Sequence, residues 1–287
     1  MTSAILSRAV SALAAGTLLA APVVATGGPT PFTLPERPVA TVWAVGDGAI
    51  GTDAARAVAA TIADGHPDAF LYLGDVYERG TRSDFRERYD PVYRDLKPVT
   101  LPTPGNHEWA RHAVGYDRYW AARAGGRTPP YYATTLAGWT LLGLNSEAPH
   151  GAGSGQLAWL RRRVAAPGTC RLAFWHRPRY SAGLHGDQPD IGPLWDALRG
   201  RAALVLNGHD HAMQWMRRRS GITALVAGAG GRNHYPVDAA DRRLVWGDDV
   251  HDGAVRLTLR PGRARFAFVA AGGRVLRSGS VACRPGG

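Results

Sequence analysis

The chain has 287 residues, enough for one large domain with a substantial core or for two modest ones. Hydrophobic residues make up 45% of it and charged residues 20%, and this ordinary balance excludes an intrinsically disordered protein. The formal net charge of +11 would attract anions such as phosphates, nucleic acids or acidic lipids, but charge alone does not choose among them.

The N-terminal 25 residues have a composition of their own. Arg8 precedes the apolar stretch AVSALAAGTLLAAPVVA, which is the pattern of a secretory signal peptide cleaved after Ala25. A transmembrane anchor is the alternative reading, but the stretch is short and is interrupted by Gly16 and Pro22. We therefore expect a secreted protein with no membrane span once residues 1–25 are removed.

The rest of the chain is predicted to be a linker followed by one domain. Residues 26–38 are rich in proline and glycine, as linkers often are. No second change of composition follows, so residues 39–283 are interpreted as a single domain. The sequence carries no indication of the oligomeric state.

Two cysteines fit an exported chain. Cys170 begins an apolar run, and Cys283 lies four residues from the C-terminus. If they pair, the bridge would hold the C-terminal segment in place and close a long loop, which stabilises a fold by about 4 kcal/mol in the chain-entropy model. Two unpaired thiols are the alternative, since spacing does not reveal pairing.

Short apolar runs alternate with helical patterns in the first part of the domain. A helix is predicted to begin at Thr52 or Asp53 and to end at Gly65. The stretch SDFRERYDPVYRDL predicts a second helical segment, interrupted at Pro91. Three apolar runs predict buried strands: VATVWAVGD (39–47), AFLYLGD (69–75) and VTLPTPGN (99–106).

The middle of the domain predicts a hairpin and then a helix. YYATTLAGWTLLGLNSE has the pattern of two strands that turn at Ala137 and Gly138. In GSGQLAWLRRRVAA, the side chains of Leu157, Leu160 and Val164 fall on one helical face.

The last part of the domain adds further strands. CRLAFWH (170–176) and AALVLNGHDH (202–211) predict two strands separated by the helical stretch PLWDALRG. Residues 254–283 alternate apolar and polar residues between Pro-Gly and Gly-Gly breaks, which predicts antiparallel strands that close a sheet. Together the elements predict an α/β fold with an antiparallel C-terminal portion.

Residues suited to metal binding follow five of these predicted strands. They are Asp47, Asp75, Asn106 with His107, His176, and His209 with His211. Because the carboxyl ends of strands in an open α/β sheet gather at one edge, we expect these side chains to converge. Imidazole, amide and carboxylate donors together favour Fe, Zn or Mn over Ca. Each motif alone would fit an ordinary turn or a buried histidine, but five of them in this order favour a metal site.

The order of motifs GD, GD, GNHE, His, GHxH resembles that of the calcineurin-like metallophosphoesterases, and among them the purple acid phosphatase branch. The resemblance extends from Val39 to about Gly230. It implies a four-layer α/β/β/α sandwich with two mixed sheets and a dinuclear metal site. It also implies the metal ligands: Asp47, Asp75 and His211 for one ion, and Asn106, His176 and His209 for the other, with Asp75 bridging the two.

Two further histidines are catalytic candidates through the same resemblance. The histidine of GNHE, here His107, is not a ligand in the family but lies beside the substrate, where it would stabilise the phosphate or protonate the leaving group. His185, nine residues after His176, resembles a second substrate-side histidine of the smaller purple acid phosphatases. An ordinary loop histidine is the alternative for His185.

Two positions depart from the family pattern. Many relatives have Asp-x-His in the first motif, but Ala49 stands at the histidine position. This favours the purple acid branch, which also lacks that histidine ligand. That branch uses a tyrosinate ligand three residues after the bridging aspartate, whereas Tyr77 comes only two residues after Asp75. Either a contracted loop still brings Tyr77 to the metal, or the site lacks this ligand. Glu78 has the expected spacing.

The implied function is hydrolysis of phosphate monoesters of small molecules by a metal-bound hydroxide. A phosphodiesterase or nuclease using the same site is an alternative, although the sequence has no basic motif with interleaved aromatic residues of the kind that binds single-stranded nucleic acid. A secreted metal- or phosphate-binding protein without catalysis is a third reading.

Overall fold

The structure, a computed structural model, describes Met1 and residues 31–283. The predicted signal peptide beyond Met1 and the first part of the predicted linker lie outside the described residues. None of the helices between residues 31 and 283 combines the length and apolar character that a membrane crossing needs.

The described residues form thirteen strands and seven α-helical segments. The strands are β1 (Ala40–Val45), β2 (Ala69–Tyr72), β3 (Thr100–Pro102), β4 (Tyr132–Leu136), β5 (Trp139–Gly143), β6 (Cys170–Phe174), β7 (Leu204–Asn207), β8 (Met213–Arg219), β9 (Ile222–Ala227), β10 (Leu244–Asp248), β11 (Gly253–Arg260), β12 (Arg263–Ala270) and β13 (Val275–Ala282). The helices are α1 (Asp53–Asp64), α2 (Arg82–Asp84), α3 (Asp90–Tyr93), α4 (Asn106–Trp109), α5 (Tyr116–Trp120), α6 (Gly155–Ala165) and α7 (Gly192–Leu198).

The strands form two mixed sheets. The first has six strands in the order β13-β12-β11-β1-β2-β3, and the second has seven in the order β10-β8-β9-β7-β6-β5-β4. β1, β2 and β3 are parallel neighbours, as are β5, β6, β7 and β9, whereas the other neighbouring strands are antiparallel. The predicted α/β class and the antiparallel C-terminal portion are both confirmed.

The two sheets pack face to face with helices on the outside, which confirms the four-layer sandwich. Along β6, Leu172 and Phe174 join the core between the sheets, while Ala173 packs with α6 and α7 in a separate apolar cluster. This alternation follows from the two-residue period of a strand. Both faces of β6 are covered, so its sequence is an uninterrupted run of buried residues.

Helix α1 begins and ends where the sequence predicts. The Thr52 hydroxyl accepts a hydrogen bond from the backbone N–H of Ala55 (3.2 Å), and Gly65 follows the last turn. The segment around Pro91, in contrast, is not broken as the sequence suggests. The chain stays helical from 82 to 99 by passing through a wider π turn just before α3, where Pro91 stands in the first turn and needs no N–H donor.

A disulfide joins the two sheets. Cys170 is the first residue of β6 and Cys283 follows β13, and their Cα atoms are 5.6 Å apart across 113 positions of sequence. The bridge therefore connects β13, at the edge of the first sheet, to β6, an interior strand of the second. Of the two readings left open by the sequence, the paired one is confirmed.

Removing this bridge is expected to destabilise the fold substantially. A Cys170→Ser/Cys283→Ser double variant should lose about 4 kcal/mol of unfolding free energy, because the unfolded chain regains the entropy of a long loop. Urea unfolding measures the loss. A reducing agent should lower the midpoint of the wild type and leave that of the double variant unchanged; equal midpoints for all four samples would contradict the expectation.

Candidate metal centre

The two sheets bring the carboxyl ends of four parallel strands to one place. Asp47 and Asp75 follow β1 and β2 of the first sheet, and His176 and His209 follow β6 and β7 of the second. Backbone hydrogen bonds join the strand-end loops, from Asp47 N–H to the Gly74 carbonyl (3.1 Å) within the first sheet and from Gly208 N–H to the His176 carbonyl (3.0 Å) within the second. The convergence expected from the sequence is therefore present.

Three of these residues have left-handed backbone conformations. The φ angles are +63° at Asp47, +66° at Asp75 and +71° at His209. Side chains other than glycine rarely adopt this region, and each such residue costs about 1–3 kcal/mol. Each of the three residues lies where the chain turns sharply out of a strand, and the turn directs its side chain into the cluster. The surrounding fold offsets the cost of this strain.

The first part of the cluster is built on Asp75 and His176. Ligand atoms of Asp47, Asp75 and His176 lie within 4.8 Å of one another, and all three side chains are buried. His176 Nε2 is 3.4 Å from Asp75 Oδ1, 3.1 Å from Asn106 Oδ1 and 3.1 Å from His209 Nδ1. Three predicted ligands thus surround the Nε2 atom of a fourth, His176.

The second part is built on Asp47, Tyr77 and His211. The Tyr77 hydroxyl lies 3.2 Å from Asp47 Oδ1 and 3.1 Å from His211 Nε2, and His211 Nε2 is 3.6 Å from the same carboxylate oxygen. The other oxygen of Asp47 accepts the backbone N–H of His209 (2.9 Å). Asp47 therefore links both parts of the cluster.

The short loop after Asp75 still brings the Tyr77 hydroxyl into the cluster. The backbone N–H of Tyr77 donates to the Ala49 carbonyl (3.1 Å), which holds the loop against the segment after β1. Glu78 turns the other way: its carboxylate, 58% exposed, pairs with Arg232 at 2.6 Å. Of the two residues that could fill the family's tyrosine position, the structure brings Tyr77 to the cluster.

Hydrogen bonds to backbone carbonyls determine which imidazole nitrogens are free. His176 Nδ1 lies 2.8 Å from the Leu73 carbonyl and His211 Nδ1 lies 2.8 Å from the Asn233 carbonyl. Because a carbonyl only accepts, both Nδ1 atoms carry the proton, and in a neutral ring each Nε2 then presents a lone pair. These lone pairs face carboxylate and amide oxygens, which also carry lone pairs. A bound cation would remove the repulsion between them. The residues fit a metal site.

The charges of the buried groups agree with this reading. Burial lowers the pKa of His176 and His209, so both rings stay neutral, as metal ligands must be. Burial, together with the nearby carboxylates of Asp47 and Glu108, raises the pKa of Asp75. Burial also acts to raise the pKa of Asp47, but its polar contacts with His211 and with the backbone N–H of His209 hold that pKa below its usual range.

Both predicted catalytic histidines lie beside the cluster. His107 donates from its backbone N–H to Asp75 Oδ1 (3.1 Å), and its ring Nε2 is 3.8 Å from Asp75 Oδ2. The ring of His185 stacks on that of His209 with centroids 4.2 Å apart, and its backbone N–H donates to Asp210 Oδ1 (2.8 Å). His185 is therefore placed at the site rather than on a remote loop.

Several residues of the site were not predicted from the sequence. Asp210, buried inside the GHDH motif, also accepts the Ser181 hydroxyl (2.5 Å) and so fixes the loop that carries His185. Glu108, inside GNHE, accepts the Val76 N–H (3.0 Å), and burial raises its pKa to about 7. Because both residues lie inside the motifs, the sequence could have indicated that they belong to the site. Tyr235, which stacks on His211 at 4.1 Å, carried none.

A family model decides the relationship. The model described as calcineurin-like phosphoesterase matches residues 40–213, which is more than half of the chain. The chain belongs to this family. It is therefore a hydrolase of phosphoric esters, and the family implies a dinuclear metal site at the cluster described above.

Solved structures confirm the fold. The chain is similar to GAP50, the anchor in the inner membrane complex of Plasmodium, with a TM-score of 0.74 and 13% identity over 87% of this chain and 90% of that one. It is similar to the purple acid phosphatase PPD1 from yellow lupin (Lupinus luteus) seeds, with a TM-score of 0.68 and 16% identity over 88% of this chain and 55% of that one. It is also similar to a dimetal phosphatase from Danio rerio, with a TM-score of 0.59 and 12% identity over 86% of this chain and 99% of that one.

These likenesses support the architecture alone, because every identity is low. The chain matches only about half the length of the lupin enzyme. A comparison with the sequences of curated proteins returned no match.

Proposed function

We propose that this protein is a secreted phosphatase that hydrolyses phosphate monoesters of small molecules at a two-metal centre. The observation that supports the proposal is the convergence of buried carboxylates, an amide and imidazoles whose free lone pairs face one another. Asp47, Tyr77 and His211 would hold one ion, and Asn106, His176 and His209 the other, with Asp75 shared between them. The mixed nitrogen and oxygen donors fit Fe, Zn or Mn.

When bound, the metal ions supply charge neutralisation for the phosphate and a nucleophile derived from water at neutral pH. The protein supplies rigid placement of the ligands. Loop hydrogen bonds such as that from Gly46 N–H to the Ala227 carbonyl (2.8 Å) tie the first sheet to the second, so the two groups of ligands keep a fixed separation.

His107 would act on the substrate rather than on the metal. Its Nδ1 donates to the Glu78 carbonyl (2.7 Å), which leaves Nε2 on the side of the ring that faces Asp75. When the ring is the imidazolium, Nε2 also carries a proton, which can stabilise a phosphoryl oxygen and pass to the departing alkoxide, leaving the neutral ring protonated on Nδ1. His185, held on the other side by Asp210, would contact the substrate beside His209.

Secretion is supported by the pattern of residues 1–25 and by the disulfide between Cys170 and Cys283. Structural disulfides form and persist mainly in oxidising compartments. Expression of the full chain in a secreting host, followed by N-terminal sequencing of the mature protein, tests this: a new N-terminus after Ala25 is expected, and an intact Met1 in the cytoplasmic fraction would contradict it.

Parallel assays with an aryl phosphate monoester and an aryl phosphate diester test the substrate class. The proposal predicts a higher kcat/KM for the monoester. A higher value for the diester would assign a phosphodiesterase. Bound metal without hydrolysis of either would assign a binding protein.

Replacing His107 with alanine is expected to separate catalysis from metal binding. His107→Ala should lower kcat for the monoester by about 10²-fold, the usual range for loss of a positioned proton donor, and leave the metal content unchanged. Steady-state kinetics and elemental analysis of the same sample check this. Hydrolysis at the wild-type rate would show that His107 has no part in the reaction.

A further inference from the structure

A salt bridge at the edge of the site connects two loops that carry site residues. Arg232 Nη1 lies 2.6 Å from Glu78 Oε1, and Arg232 Nη2 lies 3.4 Å from Glu78 Oε2. Glu78 belongs to the loop after β2, whereas Arg232 follows β9 in the second sheet. Arg232 lies outside the family motifs from which the site was predicted, and Glu78 was considered there only as an alternative to Tyr77.

We propose that Arg232 is a positioning residue that holds His107 in its catalytic orientation, acting through Glu78 and Tyr77. This inference rests on the role proposed for His107. Three sets of contacts support it.

The first contact passes through the backbone of Glu78. The carboxylate of this residue pairs with Arg232, and its carbonyl accepts the Nδ1 proton of His107 at 2.7 Å. Fixing the Glu78 side chain therefore restrains the carbonyl that orients the His107 ring. Because that carbonyl accepts a hydrogen bond from Nδ1–H, it also determines that Nε2 is the nitrogen facing Asp75.

The second contact passes through the ring of Tyr77. The guanidinium carbon of Arg232 lies 4.2 Å from the centroid of this ring, and the same ring meets that of His107 edge to face at 4.6 Å. Arg232 thus packs on one side of Tyr77 while His107 packs elsewhere against it. A cation over a tyrosine face is attracted by the π electrons and resists displacement.

The third set of contacts fixes Arg232 itself. The carbonyl of its preceding residue, Gly231, accepts the Thr52 hydroxyl at 2.9 Å, and the carbonyl of the following residue, Asn233, accepts His211 Nδ1 at 2.8 Å. The backbone on both sides of Arg232 is therefore anchored to the start of helix α1 and to the metal cluster. A guanidinium on such an anchored segment can hold the loop after β2 in one position.

A positioning role predicts a small effect on stability and a larger one on turnover. The Glu78 carboxylate is 58% exposed, and ion pairs this exposed stabilise a fold little. Misplacement of a catalytic group by about 1 Å, however, can lower a rate by about 10²-fold.

The test is a double-mutant cycle between Arg232 and His107 with the full-length protein. Arg232→Ala should lower kcat for an aryl phosphate monoester by about 10-fold, with KM and metal content unchanged. In a His107→Ala background the same substitution should have no further effect on kcat, because nothing remains to be positioned. Glu78→Gln should reproduce the loss, and Arg232→Lys should recover part of it.

Arg199→Ala is the matched control, since Arg199 forms an exposed ion pair with Asp196 at 2.6 Å in another part of the fold. It should leave kcat unchanged. An equal loss from Arg232→Ala with and without His107 would overturn the inference, as would a rise in KM alone, which would assign Arg232 to substrate binding, or a loss of metal. If His107→Ala itself has no effect, the catalytic role of His107 fails and this inference fails with it.

Discussion

Replacing Asp75 with asparagine is expected to abolish activity, with kcat for an aryl phosphate lowered by about 10³-fold or more. Asp75 is the residue that both halves of the cluster would share, and asparagine removes its negative charge while keeping its shape. Oδ1 can still accept the N–H of His107, which lies 3.1 Å away in the wild type, so the fold should remain intact.

Metal content distinguishes this loss from simple misfolding. Asp75→Asn should retain less metal than the wild type and unfold at the same or a higher urea concentration, because burial penalises the charge that asparagine lacks. Asp196→Asn, a change of the same kind in an exposed ion pair, is the control and should leave both quantities unchanged. Wild-type turnover by Asp75→Asn would remove this residue from the mechanism.

Replacing Gly105 with alanine should inactivate the enzyme although every ligand is retained. A Cβ atom at this position would overlap Asp75 Oδ1 and lie 2.6 Å from the Asp75 backbone nitrogen. The φ angle of −103° at Gly105 is open to alanine, so the effect is one of space and not of backbone strain. Displacing the shared carboxylate should lower metal affinity and reduce kcat/KM by about 10²-fold.

Gly151→Ala is the matched control for this substitution. No heavy atom lies within 4 Å of the Cβ that it would add, and the backbone there is not left-handed. Activity and metal content should both equal those of the wild type. If Gly105→Ala behaves like Gly151→Ala, the close approach between Gly105 and Asp75 has no functional consequence.

Much of the fold could be predicted because its central parallel strands are buried on both faces. Runs such as CRLAFWH show little besides apolar residues, and this pattern together with the intervening helices indicates an α/β sandwich. β8, β9 and β10 were not predicted. β8 ends in the exposed triplet Arg217–Arg219, so its sequence lacks the continuous apolar run that predicts a buried strand.

The convergence of the metal-binding candidates could be predicted for a similar reason. Asp47, Asp75, His176 and His209 each follow a parallel strand, and parallel strands place their carboxyl ends at one edge. The hydrogen-bond partners of these residues were not predictable. The carbonyls of Leu73 and Asn233 select the free imidazole nitrogens, yet a backbone carbonyl leaves no trace in the sequence.

Tyr77 shows why spacing alone could not settle one position. Counting residues after Asp75 left both Tyr77 and Glu78 open, whereas the structure directs the Tyr77 hydroxyl to the cluster and the Glu78 carboxylate to Arg232. Arg232, the partner of Glu78, is 154 positions away in sequence, so only the folded structure shows that Glu78 pairs with Arg232 and not with the cluster. If Tyr77 binds a ferric ion, the purified protein will be coloured.

The central claim is that these residues form a two-metal site, and elemental analysis of the purified, folded protein tests it most directly. The account predicts about two equivalents of Fe, Zn or Mn per chain, in the two-metal arrangement suited to phosphoryl displacement. A folded, active protein that contains no transition metal after purification, and that keeps its activity in the presence of a chelator, would contradict it.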